Sequence, residues 1–217
     1  RFGYAKTVDV SVYERNREAA DSENKYIIHC MNTGKICIFT DTGKMHQIKV
    51  LDLPYGKFRD KGTPIDNVSN YASAEEQIVM VCDMEQMRYA KLLFATRQGM
   101  IKRVEGAEFQ VAKRTIAATK LQEEDAVISV QVVTENQHAV LQTKGGYFLR
   151  FPAAEIPEKK KGAVGVRGMK LQKKDELETV YLFEEGTEAK GKFGEKEIML
   201  NRLKVAKRDG TGTKSRG

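Results

Sequence analysis

The sequence predicts an all-β protein of the propeller type, in which short four-stranded units repeat along the chain. Three observations predict this class. A hairpin motif recurs, two further motifs follow each of its full copies in the same order, and helical periodicity is weak throughout the 217 residues. Units of about 45 residues with four short strands have the size of a propeller blade.

The hairpin motif consists of an apolar strand, a threonine, two variable residues, a glycine and a second strand that bears lysine or arginine. Its full copies are "ICIFTDTGKMHQIKV" from Ile36, "LLFATRQGMIKRV" from Leu92 and "AVLQTKGGYFLRF" from Ala139. A partial copy, "RFGYAKTV", opens the chain. The motif glycines are therefore Gly3, Gly43, Gly99 and Gly146, which lie 40, 56 and 47 residues apart. Glycine suits this place because hairpin turns need a residue that tolerates positive φ.

Two further motifs follow each full hairpin. The first is basic and rich in glycine or threonine: "KGTPIDNV" from Lys61, "KRTIAATKL" from Lys113 and "KGAVGVRGMKL" from Lys161. The second leads from acidic residues into an apolar strand: "EEQIVMV" from Glu75, "EEDAVISV" from Glu123 and "KKDELETVYLF" from Lys173. Because order persists while identities drift, the pattern is typical of a repeat architecture.

These motifs predict one domain over residues 1–206, followed by a basic, flexible, glycine-rich tail over 207–217. The predicted repeats cover residues 1–28 (partial), 29–87, 88–137 and 138–186, with a closing hairpin over 187–206. We expect that hairpin to complete a neighbouring blade, because an unpaired strand edge invites aggregation. The best helical candidate is the stretch 11–24, one or two turns long.

Composition limits the classes of function. Lys and Arg total 37 against 30 Asp and Glu, and the net charge of +7 favours an anionic partner. No apolar run approaches 18 residues, which argues against a transmembrane helix. Three cysteines without a CxxC pair argue against a secreted disulfide framework and predict a cytoplasmic location. Arg1 stands in place of an initiating Met, so we expect the chain to be part of something longer.

Basic residues recur at related places in successive repeats. In a single repeat, such lysines would serve only to blunt a solvated edge strand. Recurrence at the same blade positions instead predicts a basic band around the rim, which could follow a phosphate backbone without reading bases. The candidate DNA-binding residues are Lys44, Lys49, Lys57, Arg59, Lys61, Arg97, Lys102, Arg103, Lys113, Arg114, Lys144, Arg150, Lys159, Lys160, Lys161 and Arg167.

No catalytic or metal-binding pattern is found in the sequence. His29, His46 and His138 have no His, Cys or Asp neighbours at metal-ligand spacing, and no Walker loop, GxSxG or HExxH occurs. We therefore predict no catalytic residue, no metal and no cofactor for this chain. The alternative function is a propeller that binds proteins. Against it, the chain has no Trp, hence no WD dipeptide, and the repeated charge is of one sign.

Three stretches carry a family resemblance: "FTDTGKMHQIKV" with "GKFRDKGTPIDNVSNY", "LLFATRQGMIKRVEGAEFQ" and "LNRLKVAKRDGTGTKSRG". They resemble the C-terminal domain of bacterial type IIA topoisomerase A subunits, found in DNA gyrase and topoisomerase IV. The resemblance implies a β-pinwheel, a propeller-like disc whose blades exchange strands and which can be open or incomplete. It also implies a non-catalytic domain whose basic perimeter binds and bends duplex DNA beside the cleavage core, for supercoil control or decatenation.

The resemblance further implies a parent isomerase that uses ATP and magnesium. The partners that it implies are an ATPase B subunit and the rest of the A subunit.

Gyrase carries a glutamine-arginine-arginine-glycine-glycine-lysine-glycine box, and "KKKGAVG", Lys159 to Gly165, is only a degenerate relative of it. The sequence thus favours topoisomerase IV or a gyrase without the box.

Arg88-Tyr89 matches the arginine-tyrosine pair of the cleavage core, but this chain lacks that core's scaffold. We predict that Tyr89 is a packing residue and that this fragment cleaves nothing.

Overall fold

The fold is an open set of small antiparallel sheets, described here from a computed structural model for residues 3–215. Arg1, Phe2, Arg216 and Gly217, at the ends of the predicted first repeat and tail, lie outside the described residues. The strands are β1 (Tyr4–Ala5), β2 (Lys35–Thr40), β3 (Lys44–Lys49), β4 (Thr63–Pro64), β5 (Ile78–Asp83), β6 (Lys91–Thr96), β7 (Met100–Glu105), β8 (Thr115–Ala117), β9 (Val127–Val133), β10 (Gln137–Thr143), β11 (Tyr147–Pro152), β12 (Val166–Arg167), β13 (Leu177–Glu184), β14 (Lys190–Phe193), β15 (Lys196–Met199) and β16 (Thr213–Lys214).

Helices are few and short. The predicted helical stretch forms α1 (Val10–Arg15) and α2 (Arg17–Glu23), and α3 (Met84–Met87) precedes β6. Single 3-10 turns occupy Val50–Asp52, Ile65–Asn67, Gly106–Phe109, Ala153–Glu155 and Leu200–Arg202. Within residues 3–215, no helix is long and apolar enough to cross a membrane.

Three four-stranded blades exchange strands along the chain. Their strand orders are β5-β2-β3-β8 in blade 1, β9-β6-β7-β12 in blade 2 and β13-β10-β11-β16 in blade 3. In each blade the first three strands come from one repeat, and the fourth comes from the chain that follows. We call this fourth strand the donated strand, and the strand that pairs with it the receiving strand. The exchange confirms the predicted all-β pinwheel.

The turns of the hairpin motif have the expected conformation. Gly43, Gly99 and Gly146 have φ of 80°, 87° and 88°, and Gly3 has 72°. Each of the first three lies just before a receiving strand, where an L side chain would be strained. The motif glycines therefore occupy the turn of the hairpin in each of the three blades.

The ends of the pinwheel differ from the prediction. We expected the closing hairpin to complete a neighbouring blade, but β14 pairs with β15 in a two-stranded sheet of their own. The strand that completes blade 3 is β16, which pairs with β11 and lies in the segment predicted as a flexible tail. The reason is that the chain after the hairpin repeats the donor pattern, ending in Gly212 with φ of 79°. At the other end, and among residues 3–215, β1 pairs only with β4. In this smaller sheet we call β4 a donated strand as well.

The hydrophobic core lies between blades, and β6 explains how. All residues from Leu92 to Ala95 are buried, and successive side chains of a strand point to opposite faces. Leu92 and Phe94 pack against blade 1 residues, whereas Leu93 and Ala95 pack against blade 3 residues. The continuous apolar run "LLFA" is thus a strand buried on both faces.

Aromatic rings reinforce the contact between blades 1 and 2. Phe39 meets Phe94 and Phe109 edge to face, with ring centroids 5.7 and 5.2 Å apart. Each such pair contributes about 0.5–1.5 kcal/mol beyond the area it buries. Because β5 contacts β9 and β9 contacts β13, these strands form the inner edges of the blades. The donated strands at the opposite edge therefore form the outer rim.

Candidate nucleic-acid interface

The segments that lead into three of the donated strands share one geometry. We call residues 55–62, 158–165 and 205–212 the donor loops; they precede β4, β12 and β16. Each starts at a parallel bridge to the receiving chain, namely Thr7 with Tyr55, Arg103 with Glu158 and Arg150 with Val205. The three loops have equal length and therefore present equivalent positions on the rim.

Each donor loop ends in a glycine for a steric reason. Gly62, Gly165 and Gly212 have φ of 86°, 103° and 79°. A Cβ added at Gly165 or Gly212 would lie 2.6 Å from the carbonyl oxygen of Ile101 or Phe148, and one added at Gly62 would come closer still to that of Ala5. Since real Cβ atoms do not approach an oxygen so closely, only glycine lets the chain turn onto the receiving strand.

The donor loops carry much of the predicted basic band. Lys57, Arg59 and Lys61 are exposed on the first loop, and Lys61 Nζ lies 4.4 Å from the ring centre of Tyr4. Lys159 and Lys160 are exposed on the second loop, while Lys161 is half-buried. The segment before β8 is built differently but also exposes Lys113 and Arg114. All of these residues lie next to donated strands, hence at the outer edge of the blades.

The hairpin tips carry basic residues that are partly neutralised. Lys144 Nζ lies 2.7 Å from Oε2 of Glu176, and Arg97 Nε lies 3.9 Å from its Oε1. The hydrogen bond from Lys144 is the main reason why the pKa of Glu176 is lowered. Glu176 belongs to the motif that leads from acidic residues into an apolar strand, so these tips offer an anion less free charge than the donor loops do.

Other predicted residues are exposed at the margins of the band. Lys44 and Lys49 begin and end the receiving strand β3, and both are exposed. Arg167, in β12, is exposed but forms an ion pair with Asp209 of the next donor loop; its Nη2 donates to Oδ2 at 3.1 Å. The hydrogen bond from Arg167 lowers the pKa of Asp209.

Lys102, Arg103 and Arg150 were predicted as phosphate contacts, and the structure corrects this. Their side chains are buried, with residue exposures of 1%, 7% and 7%. Arg103 Nε donates to the carbonyl O of Ile156 at 2.6 Å, and Arg150 Nη1 donates to that of Asn201 at 2.8 Å. The prediction was wrong because the chain of the next repeat lies across these receiving strands. The three residues instead fasten that chain.

Lys102 has the most enclosed of these cationic groups. Its Nζ donates to the carbonyl oxygens of Lys160, Lys161 and Ala163 at 3.0, 3.1 and 2.6 Å. Burial lowers the pKa of Lys102 to about 8, and the nearby carboxylate of Glu108 opposes this shift. Lys102, which the sequence predicts to be an exposed charge on the rim, is thus a buried residue that supports the donor loop from below.

Sequence reasoning missed basic residues on the third donor loop, beside it and in the strand after it. Lys204, Lys207 and Lys214 are exposed there. The sequence signal for them is the likeness of "AKRDGTGTK" to "KKKGAVGVR", and the prediction of a flexible tail over 207–217 does not take this likeness into account. The basic segments therefore extend over all three complete blades.

Tyr89 does not have the predicted packing role. The residue is 79% exposed, so it contributes little to the core and the prediction was wrong. The Arg88 guanidinium lies 5.7 Å from the centre of its ring. Among residues 3–215, no group of three His, Cys, Asp or Glu residues is placed to hold a metal ion.

Known proteins share this sequence pattern. A family model described as "DNA gyrase C-terminal domain, beta-propeller" matches residues 90–134 and 137–184. The DNA gyrase A subunit of Lawsonia intracellularis (strain PHE/MN1-00) is 31% identical over 197 residues, which are 85% of this chain and 24% of that protein. The DNA gyrase A subunit of Metamycoplasma arthritidis (strain 158L3-1) is 25% identical over 209 residues, 88% of this chain and 23% of that protein. The chain thus spans less than a quarter of these relatives.

Solved structures share the fold. The C-terminal domain of DNA topoisomerase IV superposes with a TM-score of 0.85 at 22% identity, covering 98% of this chain and 69% of that one. The C-terminal domain of DNA gyrase A superposes with a TM-score of 0.64 at 22% identity, covering 85% and 60%. Sequence and structure together place the chain in the family of C-terminal domains of the A subunits of DNA gyrase and topoisomerase IV.

Proposed function

We propose that this chain binds and bends duplex DNA through phosphate contacts along its outer rim, without catalysis of its own. One observation carries the proposal: equivalent donor loops next to the donated strands β4, β12 and β16 expose lysine and arginine. Contacts to phosphate depend on charge and spacing, so binding is largely independent of base sequence. The contact set omits Lys102, Arg103 and Arg150, which are buried, and includes Lys204, Lys207 and Lys214.

The domain presents DNA to the cleavage core of a parent topoisomerase, for supercoil control or decatenation. In this proposal its protein partners are the ATPase B subunit and the rest of the A subunit. ATP and magnesium serve the parent enzyme, which acts in the bacterial cytoplasm, and this domain uses neither. The family resemblance supports these assignments, and the net charge of +7 agrees with an anionic partner.

Titration with random-sequence duplex at several salt concentrations tests the proposal. We expect the logarithm of the affinity to fall linearly with the logarithm of the salt concentration. Changing Lys159, Lys160 and Lys161 together to Ala lowers that slope by about 0.9 for each phosphate interaction removed, equally for all duplex sequences.

The matched control changes Lys25, Lys190 and Lys192 together to Ala. These three lysines are exposed outside the donor loops, and the net charge changes by the same amount. If both triple variants reduce the slope equally, only the total charge matters and the rim assignment fails. Binding that is insensitive to salt in the unaltered chain would favour the alternative of a protein-interaction module.

A further inference from the structure

Two receiving chains carry a lysine that reaches beneath a donor loop. Lys6 and Lys102 each stand three residues after a motif glycine. Lys102 Nζ donates to the carbonyl oxygens of Lys160, Lys161 and Ala163, and Lys6 Nζ donates to those of Phe58 and Asp60. Counted from the bridges at Tyr55 and Glu158, Phe58 corresponds to Lys161 and Asp60 to Ala163. The same contact thus occurs twice.

The chemistry of this contact suits a rigid support. An ammonium group has three N–H donors and no acceptor, so three carbonyl oxygens satisfy Lys102 completely. Because Lys102 is only 1% exposed, water does not compete for these bonds. Hydrogen bonds from a charged donor are about twice as strong as those between neutral groups. The backbone of the loop is therefore held from below at the residues that carry its outward charge.

Two of the held carbonyls belong to residues of the proposed DNA contact. Lys160 offers its carbonyl to Lys102 and its ammonium to solvent, and Lys161 is half-buried beside it. Without the support, the loop would have to be ordered when DNA binds, and that ordering would weaken the affinity. The support beneath the loop and the contact above it are thus linked through one stretch of backbone.

We propose that Lys102 and Lys6 are positioning residues, which hold the second and first donor loops in the shape that presents lysine and arginine to phosphate. The proposal rests on the proposed function. It assigns the two lysines no contact with DNA. Their effect on DNA binding passes entirely through the loop that each one holds.

The chain itself supplies contrasts. In blade 1 the equivalent residue is His46, whose Nε2 lies 2.9 Å from Oε2 of Glu76 and whose Nδ1 lies 2.8 Å from Oγ1 of Thr115. In blade 3 it is Leu149, and the third donor loop is tied instead by the ion pair of Asp209 with Arg167. Lysine support is therefore specific to the first and second donor loops.

Trypsin digestion of the free chain tests the support without DNA. Trypsin cleaves after Lys159, Lys160 and Lys161 only when the loop can open. We expect Lys102→Met to speed cleavage in residues 158–165 and to leave cleavage in residues 55–62 unchanged. Lys6→Met is expected to have the opposite pattern. Equal rates in each variant and in the unaltered chain would overturn the proposal.

A crossed set of variants tests the link to DNA. Lys102→Met should lower the salt slope of duplex binding by about 0.9 for each phosphate interaction that the loop no longer makes. In a chain that already has Ala at 159, 160 and 161, Lys102→Met should change neither the slope nor the affinity. In a chain with Ala at 57, 59 and 61, Lys102→Met should have its full effect. Lys6→Met should have no effect in that chain and its full effect in the chain with Ala at 159, 160 and 161.

These outcomes separate the two proposals. If the unaltered chain binds no duplex, the proposed function fails and the positioning role fails with it. If the unaltered chain binds but Lys102→Met acts equally in all backgrounds, the lysine has only a general structural or charge effect, and the positioning role alone fails. Should Lys102→Met not fold, Lys6→Met decides the matter, because Lys6 lies at the less buried end of the pinwheel.

Discussion

Lys102 and Lys160 are joined by one hydrogen bond, yet their ammonium groups lie in opposite surroundings. Nζ of Lys102 is buried and donates to the carbonyl oxygen of Lys160, whereas the side chain of Lys160 is exposed. A buried charge needs hydrogen-bond partners, and the donor loop supplies three carbonyls. An exposed charge is free to meet an anion. The residue type alone therefore does not distinguish a lysine that supports a donor loop from a lysine that is exposed to contact phosphate.

The steric role of Gly165 leads to a stability prediction. Gly165→Ala should lower the free energy of unfolding by about 2 kcal/mol or more, because φ is 103° and the new Cβ would lie 2.6 Å from the carbonyl oxygen of Ile101. Urea unfolding measures the loss. The control is Gly162→Ala in the same loop, where a Cβ meets nothing within 4 Å; it should change stability by no more than about 0.5 kcal/mol. Equal effects would refute the steric argument.

The pKa of Lys102 leads to a prediction of pH dependence. Burial lowers this pKa to about 8 in the folded chain, against about 10.4 for an unfolded lysine. Between these values the unfolded chain binds more protons, so the contribution of Lys102 to stability rises with pH from about 8 to about 10.4. The free energy of unfolding, measured from about pH 7 to about 10.5, should therefore rise more steeply in the unaltered chain than in Lys102→Met. Parallel curves would contradict the lowered pKa.

The donated strand is the element that defines this architecture. β12 and β16 are each only two residues long, yet each closes the outer edge of a blade that belongs to the preceding repeat. Two neighbouring features stabilise the pairing of such short strands. One is the glycine at the end of the donor loop, and the other is the buried Arg103 or Arg150, which donates hydrogen bonds to the chain upstream of the loop. The donor loop, the buried arginine and the donated strand therefore form one structural unit.

Removing β16 tests whether the predicted tail is a structural element. A chain that lacks residues 210–217 leaves the outer edge of β11, at Tyr147 and Phe148, without its partner strand β16, while β10 still pairs with the inner edge. An exposed strand edge pairs readily with other chains, so we expect concentration-dependent self-association, measured by light scattering. A chain that lacks only residues 216–217 should remain monodisperse. If the shorter chain stays equally dispersed, β16 is not needed to protect the edge of blade 3.

At the level of the whole molecule, strand exchange links each blade to the next. The donated strands that make this link also form the outer rim. The donor loops lie next to the donated strands β4, β12 and β16 at the outer edge, while β5 contacts β9 and β9 contacts β13 at the inner edges. In the proposed function, the charges that repeat along the sequence form the band that contacts the phosphate backbone.

The domain should bind DNA but do no chemistry on it. We expect the isolated chain neither to hydrolyse ATP nor to nick supercoiled DNA, with or without magnesium. Tyr89→Phe should leave duplex affinity unchanged, because the removed hydroxyl lies on an exposed side chain outside the donor loops. A covalent DNA adduct at Tyr89 in denaturing gels would disprove the non-catalytic assignment.

The repeat order, the all-β class and the turn glycines could be read from the sequence because they depend on local contacts. A hairpin such as β6 with β7 joins neighbouring residues, so its apolar strands and its glycine are adjacent in the chain. Only the tertiary structure decided which blade each outer strand completes. Ile101 pairs with Val166 of the next repeat, far along the chain, and the two residues of β12 are too few to show the alternation of a strand. The burial of Lys102, Arg103 and Arg150 was likewise decided only by the tertiary structure, because the carbonyls that accept their hydrogen bonds belong to the chain that follows each repeat.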